Sequence, residues 1–331
     1  MKKKRIIIYS LLFFTFLLLA VLIIQLNNGK TVSKTIESSK YYVHVDDFGA
    51  DGDNLEDDSQ AIQAAIDHSY ESNISKVRLT GNKHYVIKSG IIVREGVELE
   101  FDQNTRLFIE GNFRAIELEK NASITNGIIE VTNNSFDSEV IYLDGKHQFW
   151  SWERTHVRNV TIVNSSGTRQ GTALALFADG PNHFISFVNF TDLNIVGFNR
   201  GIYLEAVEQE NDADFTWVNG NRFVNITLDD CVNCIELIGS ITIPYETTGN
   251  EFTSLQVQLT SYTESVLSVM GSDNKFDGVI WDVHELVHEE PIITFSRQST
   301  GNFLTSNILS EFISDEGYYN YFTSPVEEAR N

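Results

Sequence analysis

Three aspartates stand where acid–base chemistry could be done. Asp229 and Asp230 are adjacent at the end of an alternating apolar run, and Asp282 is followed closely by His284 and Glu285. Two carboxyl groups held several ångströms apart can divide a hydrolysis between them: one is protonated as general acid, the other activates water. An adjacent carboxylate assists, because like charge raises its neighbour's affinity for a proton. On an extended strand Asp282 and His284 would share one face. With Glu285 they offer acid, base and metal-ligand groups, but no metal site is assigned, since further ligands would have to converge from other parts of the chain. A different kind of candidate is the run His147-Gln148-Phe149-Trp150-Ser151-Trp152. Trp150 and Trp152 offer flat apolar faces beside the polar groups of His156, Arg154 and Arg158, which suits a sugar ring. Arg200, Arg222 and Lys275 sit at turns and are cations available to a carboxylated substrate.

The elements that must position these groups are short and β-rich. After Tyr70 the runs 76–79, 84–87, 91–93, 97–101, 106–109, 115–118 and 128–131 follow one another, each bounded by Gly, Asn or Asp. Closely spaced strands with turn signals argue for an all-β architecture. The second half repeats. Gly220-Asn221-Arg222-Phe223, Gly249-Asn250-Glu251-Phe252 and Asp273-Asn274-Lys275-Phe276 share a turn residue, Asn, any residue and Phe, with a shorter copy at Gly301-Asn302-Phe303 and an earlier cousin at Pro181-Asn182-His183-Phe184. From Asn221 the copies lie 29, 24 and 28 residues apart. Such periods indicate a solenoid, whose coils bury a shared core only by stacking. Phe223, Phe252 and Phe276 should then stack inside, with the Asn side chains linking coils at the turns. Counting from each Phe puts Asp229, Gln258 and Asp282 at matching outward positions. Two interstrand steps would separate Asp229 from Asp282 by about 9.6 Å, at the upper limit of the roughly 6.5–9.5 Å of an inverting pair.

The chain has 331 residues and a formal net charge of −22. No basic footprint for nucleic acid is visible. The charge also disfavours a strongly anionic polymer unless a cation such as Ca2+, the one cofactor considered, bridges the two, although net charge says little about a single groove. Cys231 and Cys234 form a lone C-x-x-C with no second pair to complete a zinc site; buried thiols are expected. A basic head at 1–5 precedes an apolar run over 6–26, long enough at about 1.5 Å per residue to cross roughly 30 Å of hydrocarbon. The expectation is an uncleaved, single-pass membrane anchor with its C-terminal side extracytoplasmic, then a polar tether over 27–41 and one domain over 42–331.

That domain opens with Val45-Asp46-Asp47-Phe48-Gly49-Ala50-Asp51-Gly52-Asp53 and then Asp57-Asp58-Ser59-Gln60-Ala61-Ile62-Gln63-Ala64-Ala65-Ile66. Gly49 and Gly52 permit a tight turn. Asp57 or Asp58 can cap a helix over 57–69, and Ala61, Ile62, Ala65 and Ile66 fall on one of its faces. The order resembles the opening of the pectate-lyase-like right-handed parallel β-helix superfamily, which mostly acts on polysaccharides. The resemblance implies a single-stranded parallel β-helix, an N-terminal α-helix covering its open end, and a groove along one sheet; trimeric relatives leave oligomerisation open. Three polygalacturonase motifs, Asn-Thr-Asp, Gly-His-Gly and Arg-Ile-Lys, are absent, and only Asp229-Asp230 matches in kind, so no catalytic role transfers by motif. The expected function is polysaccharide processing by a glycoside hydrolase or polysaccharide lyase, with Asp229, Asp230 and Asp282 as catalytic groups and Trp150, Trp152, His156, Arg200 and His284 as substrate contacts. The alternative is a non-catalytic surface protein that binds glycan or protein.

Overall fold

A computed structural model describes residues 41–211 and 214–323. The expected anchor and nearly all of the tether lie outside the described residues. Among the described residues no helix is long and apolar enough to cross a membrane.

Alternating apolar residues fold into short strands wound as a parallel β-solenoid of the right-handed type. The strands form sheets of 13 and 12 members. The strands Lys76–Leu79, His84–Ile87, Ile91–Val93 and Arg106–Ile109 fall where alternation places them. In the first sheet the successive rungs Ser123–Val131, His156–Asn164, Asn189–Val196, Arg222–Asp229, Glu251–Gln258 and Lys275–Trp281 pair in parallel. Asn126, Asn159, Asp192, Asn225 and Ser254 interrupt five of these rungs at φ of 53 to 65°. Asn and Asp tolerate this left-handed backbone better than other residues with a side chain, and the sheet bends there into two faces. The Asn159 amide donates to Asn126 Oδ1 at 3.1 Å and that of Asn225 to Asp192 Oδ1 at 2.6 Å. Asn159 and Asn225, which also lie in N-x-S/T sequences, therefore serve the backbone. The second sheet carries Glu139–Asp144, Thr172–Ala178, Arg200–Ala206, Asn233–Ile238 and Ser265–Ser272.

The Asn-x-Phe repeat marks equivalent corners. Phe190, Phe223, Phe252 and Phe276 stack inside with centroid separations of 4.7, 4.3 and 5.1 Å. Beside them runs a buried amide ladder. Asn221 Nδ2 donates to Asn250 Oδ1 at 3.0 Å, Asn250 to Asn274 at 3.1 Å, and Asn274 to Asn302 at 3.0 Å. Each of these three also donates to a backbone carbonyl of the preceding coil, and each carboxamide oxygen in the ladder takes a backbone N–H. The outlying copies differ. Asn302 joins the ladder, but Leu304, not Phe303, pairs with Phe276, so Phe303 turns outward onto Tyr321. Phe184 stacks on Trp217 on the second sheet, away from the Phe column.

The helix α1 spans Ser59–Glu71, two residues later than expected. Asp58 sits at its cap position without making a cap bond. Its carboxylate instead accepts the N–H groups of Asp51 and Val86, at 2.8 and 3.1 Å, and Asp57 accepts that of Ser59 at 3.0 Å. From the helix, Gln63 bonds both the N–H and the carbonyl of Ile92. Asp58 and Gln63 thus supply partners that the edge strands His84–Ile87 and Ile91–Val93 lack on that side, which protects an otherwise open edge. The acids of the opening turn are structural as well: Asp46 accepts from Tyr85 Oη at 2.6 Å and Lys83 Nζ at 2.9 Å.

Replacing Asn250 by Ala strands the backbone N–H of Asn221 in the core and takes one partner each from the Asn221 amide and the carbonyl of Val218. Urea unfolding should show a loss of about 2–4 kcal/mol, against little change for exposed Asn189→Ala. Equal effects would remove the ladder from its place in setting the fold.

Candidate functional site

The bend residues decide what happened to the expected acid pair. Each rung up to Glu251–Gln258 spends one left-handed residue at the bend, and Lys275–Trp281 does not. The register shifts there, so Leu255 pairs with Gly278 and Gln258 with Trp281. The residue two rungs from Asp229 is therefore Trp281, and Asp282 lies one step further at φ 57°. Asp282 stays near through a hydrogen bond from Gln258 Nε2. Asp230 is committed elsewhere. Arg169 grips both its oxygens, at 2.9 and 2.8 Å, Thr260 Oγ1 donates at 2.8 Å, and the guanidinium lies 3.6 Å over Tyr262. Asp229 keeps a raised carboxyl, because burial and then the charge of Asp230 disfavour its ionised form. Cys231 and Cys234 are buried free thiols, and burial pushes Cys231 up to about 12.

The other expected residues scatter. His284 is exposed and pairs with Glu285 at 3.4 Å. Arg200 lies on the second sheet, 3.0 Å from Glu236 and stacked over Tyr203. Trp150 packs edge-on against Phe184 and Phe187, with Trp152 beside it at 6.1 Å and 76% exposed. His156 lines a cleft of about 360 Å³ with Glu153, Arg154, Arg158, Asn189 and Thr191.

Sequence reading named only His147, at the head of the aromatic run, among the members of a further dense polar cluster. It lies on the outer face of the second sheet, where Glu117 pairs in register with Tyr142. The Glu117 carboxylate is nearly buried. It accepts from Tyr142 Oη at 2.6 Å and Lys146 Nζ at 2.7 Å, and it lies 2.8 Å from His147 Nε2. Burial works to raise its carboxyl, but the bonds from His147, Lys146 and Tyr142 outweigh that and bring it down to about 2. Burial alone would lower Lys146; its bonds to Glu117 and Asp144 hold it above its ordinary value. Burial and Glu117 keep the Tyr142 phenol protonated well beyond neutral pH. A short 3-10 turn, Gly145–His147, presents Lys146 and His147, and its N-cap Asp144 accepts the Lys146 N–H at 2.9 Å. Asp144, Asp179 and His183 converge beside it and are the group among the described residues whose atoms could hold a cation. Along the same face Arg114 lies over Tyr142 and Phe177, and Phe177 meets Tyr203 edge-on. The signals for this site in the sequence were a charged residue, Glu117, inside an apolar strand and His147 at the head of the aromatic run.

A model of the family described as rhamnogalacturonase A/epimerase, pectate lyase-like matches residues 42–257. Depolymerase 1, capsule KN3-specific, from Klebsiella phage KN3-1 is 35% identical over 99 residues, which are 30% of this chain and 12% of that protein. The chain therefore spans a small part of that relative's length. Among solved structures, the A-module of the Azotobacter vinelandii mannuronan C-5 epimerase AlgE4 is 13% identical, with 87% of this chain and 98% of that chain covered and a TM-score of 0.39. The phiAB6 tailspike, solved with three-repeated oligosaccharides of Acinetobacter baumannii surface polysaccharide, is 14% identical, with 84% and 47% covered and a TM-score of 0.43. The family match runs over more than half of the sequence, and the chain belongs to the rhamnogalacturonase A/epimerase, pectate lyase-like family.

Proposed function

We propose that the protein binds a polysaccharide along the outer face of the second sheet and cleaves it there by β-elimination next to a sugar carboxylate. The observation that carries this reading is the Glu117 cluster. Glu117 is held ionised, so it is a positioning residue and not a proton donor. It takes the Nε2–H of His147, which leaves Nδ1 of that ring to accept a proton. Lys146 is the cation beside it, suited to the charge that develops on the substrate carboxylate as the neighbouring C–H is broken. The C–H electron pair forms the new double bond, the glycosidic C–O bond opens, and the proton taken by His147 passes to the leaving oxygen, while the Tyr142 hydroxyl stays bonded to Glu117. Family membership and the capsule-specific name of the phage relative support the substrate class. The expected anchor would hold the domain outside the cytoplasm.

A second reading, hydrolysis, rests on Asp229, whose raised carboxyl suits a general acid; Asp282 beyond Gln258 would then be its partner carboxylate. The products separate the two. In digests of carboxylated polysaccharides, elimination yields unsaturated ends and hydrolysis does not. The expected outcome is that His147→Ala slows release of unsaturated ends by about 100-fold or more, while Asp229→Asn leaves it unchanged. Saturated products lost only in Asp229→Asn would establish hydrolysis, and binding without products in any variant would leave a non-catalytic glycan-binding protein.

The locked state of Glu117 also has a pH signature. Its folded value of about 2 lies below the ordinary 4.5, so its ionised form stabilises the fold above about pH 4.5. That contribution, on the order of 3 kcal/mol, drains away as pH falls towards 2. Thermal melts between pH 5 and 2 should show a shallower decline for Glu117→Gln than for the parent. Parallel declines would mean that the carboxylate is not held as described.

A further inference from the structure

Among the described residues, every lysine and arginine lies within ion-pair distance of a carboxylate except Lys120, Arg154, Arg158 and Arg222. In a chain with 46 acidic residues against 24 basic ones, a cation without a partner is unusual, and these four share one corner of the solenoid. His156, Asn189 and Arg222 occupy one outward column of the first sheet on successive rungs, ahead of the bend. Arg158 is two residues along from His156 on the same strand face. Lys120 and Arg154 stand on consecutive turns clamped together: Arg154 N–H donates to Asn121 Oδ1 at 3.2 Å and Asn121 N–H to Thr155 Oγ1 at 2.7 Å. Arg154, His156 and Arg158 line the cleft of about 360 Å³ described above.

The acid nearest in sequence does not neutralise them. Glu153 lines the cleft, but its carboxylate accepts the Trp150 N–H at 2.6 Å. His156 Nδ1 is bonded to the Arg154 carbonyl at 2.8 Å, which leaves Nε2 without a partner among the described residues. The loop that carries exposed Trp152 runs directly into Arg154. Glu251, in register beside Arg222 on the next rung, pairs instead with Lys275 at 3.0 Å, and like charges gathered without a paired counter-ion repel one another. Such an arrangement fits a surface that an anion completes. Arg154 and Arg158 belong to one rung and Arg222 to the rung two further on, roughly 9.6 Å away at about 4.8 Å per step, so the cations form a spaced row and not a single anion hole.

We infer that this corner is an accessory binding site for a polysaccharide bearing carboxylates, on a different face from the Glu117 cluster. A row of guanidinium groups would take successive carboxylates by paired N–H···O bonds, and the tryptophan loop would take a ring face. The inference rests on the proposed function only for the class of ligand. Nucleic acid is the other long polyanion, but its phosphate density meets the repulsive field of a chain at −22.

The test uses the full chain carrying His147→Ala, so that the polymer survives the measurement. Calorimetry compares polygalacturonate, neutral dextran and a single-stranded oligonucleotide, with and without Arg154→Gln, Arg158→Gln and Arg222→Gln together. Among the described residues none bonds to these three side chains, so the melting temperature should hold. The expected result is polygalacturonate binding that weakens with salt and falls about tenfold or more in the triple variant, with dextran unbound and the oligonucleotide much weaker. Affinity unchanged in the triple variant, polygalacturonate bound no better than dextran, or an oligonucleotide bound as tightly would each overturn the inference. Release of unsaturated ends by the parent chain and its loss in His147→Ala test the proposed chemistry, whereas this site is read from binding alone, so the two can fail separately.

Discussion

A dry core that contains amide groups tolerates one arrangement of its rungs. Asn221, Asn250, Asn274 and Asn302 are fully buried, and a buried amide without partners costs about as much as several exposed interactions contribute. Each finds partners only if the next rung presents its own Asn at the same corner. The ladder therefore fixes where each coil begins. The Phe column beside it does the same by shape, since rings stacked at 4.3 Å leave no room for a slipped rung. Everything displayed on the outer faces inherits its position from this constraint. A one-residue slip would move Asp229, Thr227 or Gln258 from solvent into the core.

The same logic explains what was legible in the sequence. The ladder and the column repeat by residue type, so Asn221, Asn250 and Asn274 could be read as equivalent corners, and the strands between them followed from alternation. What sequence could not supply was the number of residues each rung spends at the bend. Asn225 and Ser254 are left-handed there, and the next rung has no such residue; a count made forward from Phe276 therefore overshoots by one and lands on Asp282 instead of Trp281. The Glu117 cluster was hidden for a related reason. Glu117 and Tyr142 are 25 residues apart and belong to the half of the chain without a repeating signpost, so no count could bring them into register. Phe184 misled in the opposite way: its Asn-x-Phe string is genuine, but it lies on the second sheet.

Net charge was a poor guide for a physical reason. Most cations of this chain are consumed locally by acids one rung away, as Lys76 is by Glu98 and Glu100, and Arg106 by Glu130. Stacked rungs set side chains about 4.8 Å apart, which is ion-pair reach, so acid and base on neighbouring rungs cancel and leave little field. The sum of −22 describes the surplus acids spread over the surface. It does not describe the corner at Arg154, Arg158 and Arg222, where no carboxylate forms an ion pair and Glu251, beside Arg222, is taken by Lys275. Screening at physiological salt limits the reach of that surplus to about 8 Å, so a local row of cations can act on its own ligand.

Pairing also sorts the acids by the chemistry open to them. A carboxylate gripped by cations is held ionised, and it can orient a base or fix a strand, but it cannot give up a proton it does not carry. Glu117 beside Lys146 and His147 is of this kind. Asp229 differs, since burial and an adjacent negative charge both favour its protonated form. The two faces of the solenoid are thereby suited to different reactions. The second sheet offers a base and a cation around a fixed anion, groups suited to proton abstraction next to a carboxylate. The first sheet offers one acid able to hold a proton, with Gln258 standing between it and a second carboxylate. Elimination needs no protonated carboxyl group and hydrolysis does, so the reaction assigned to this fold turns on which of these two environments a sugar chain occupies.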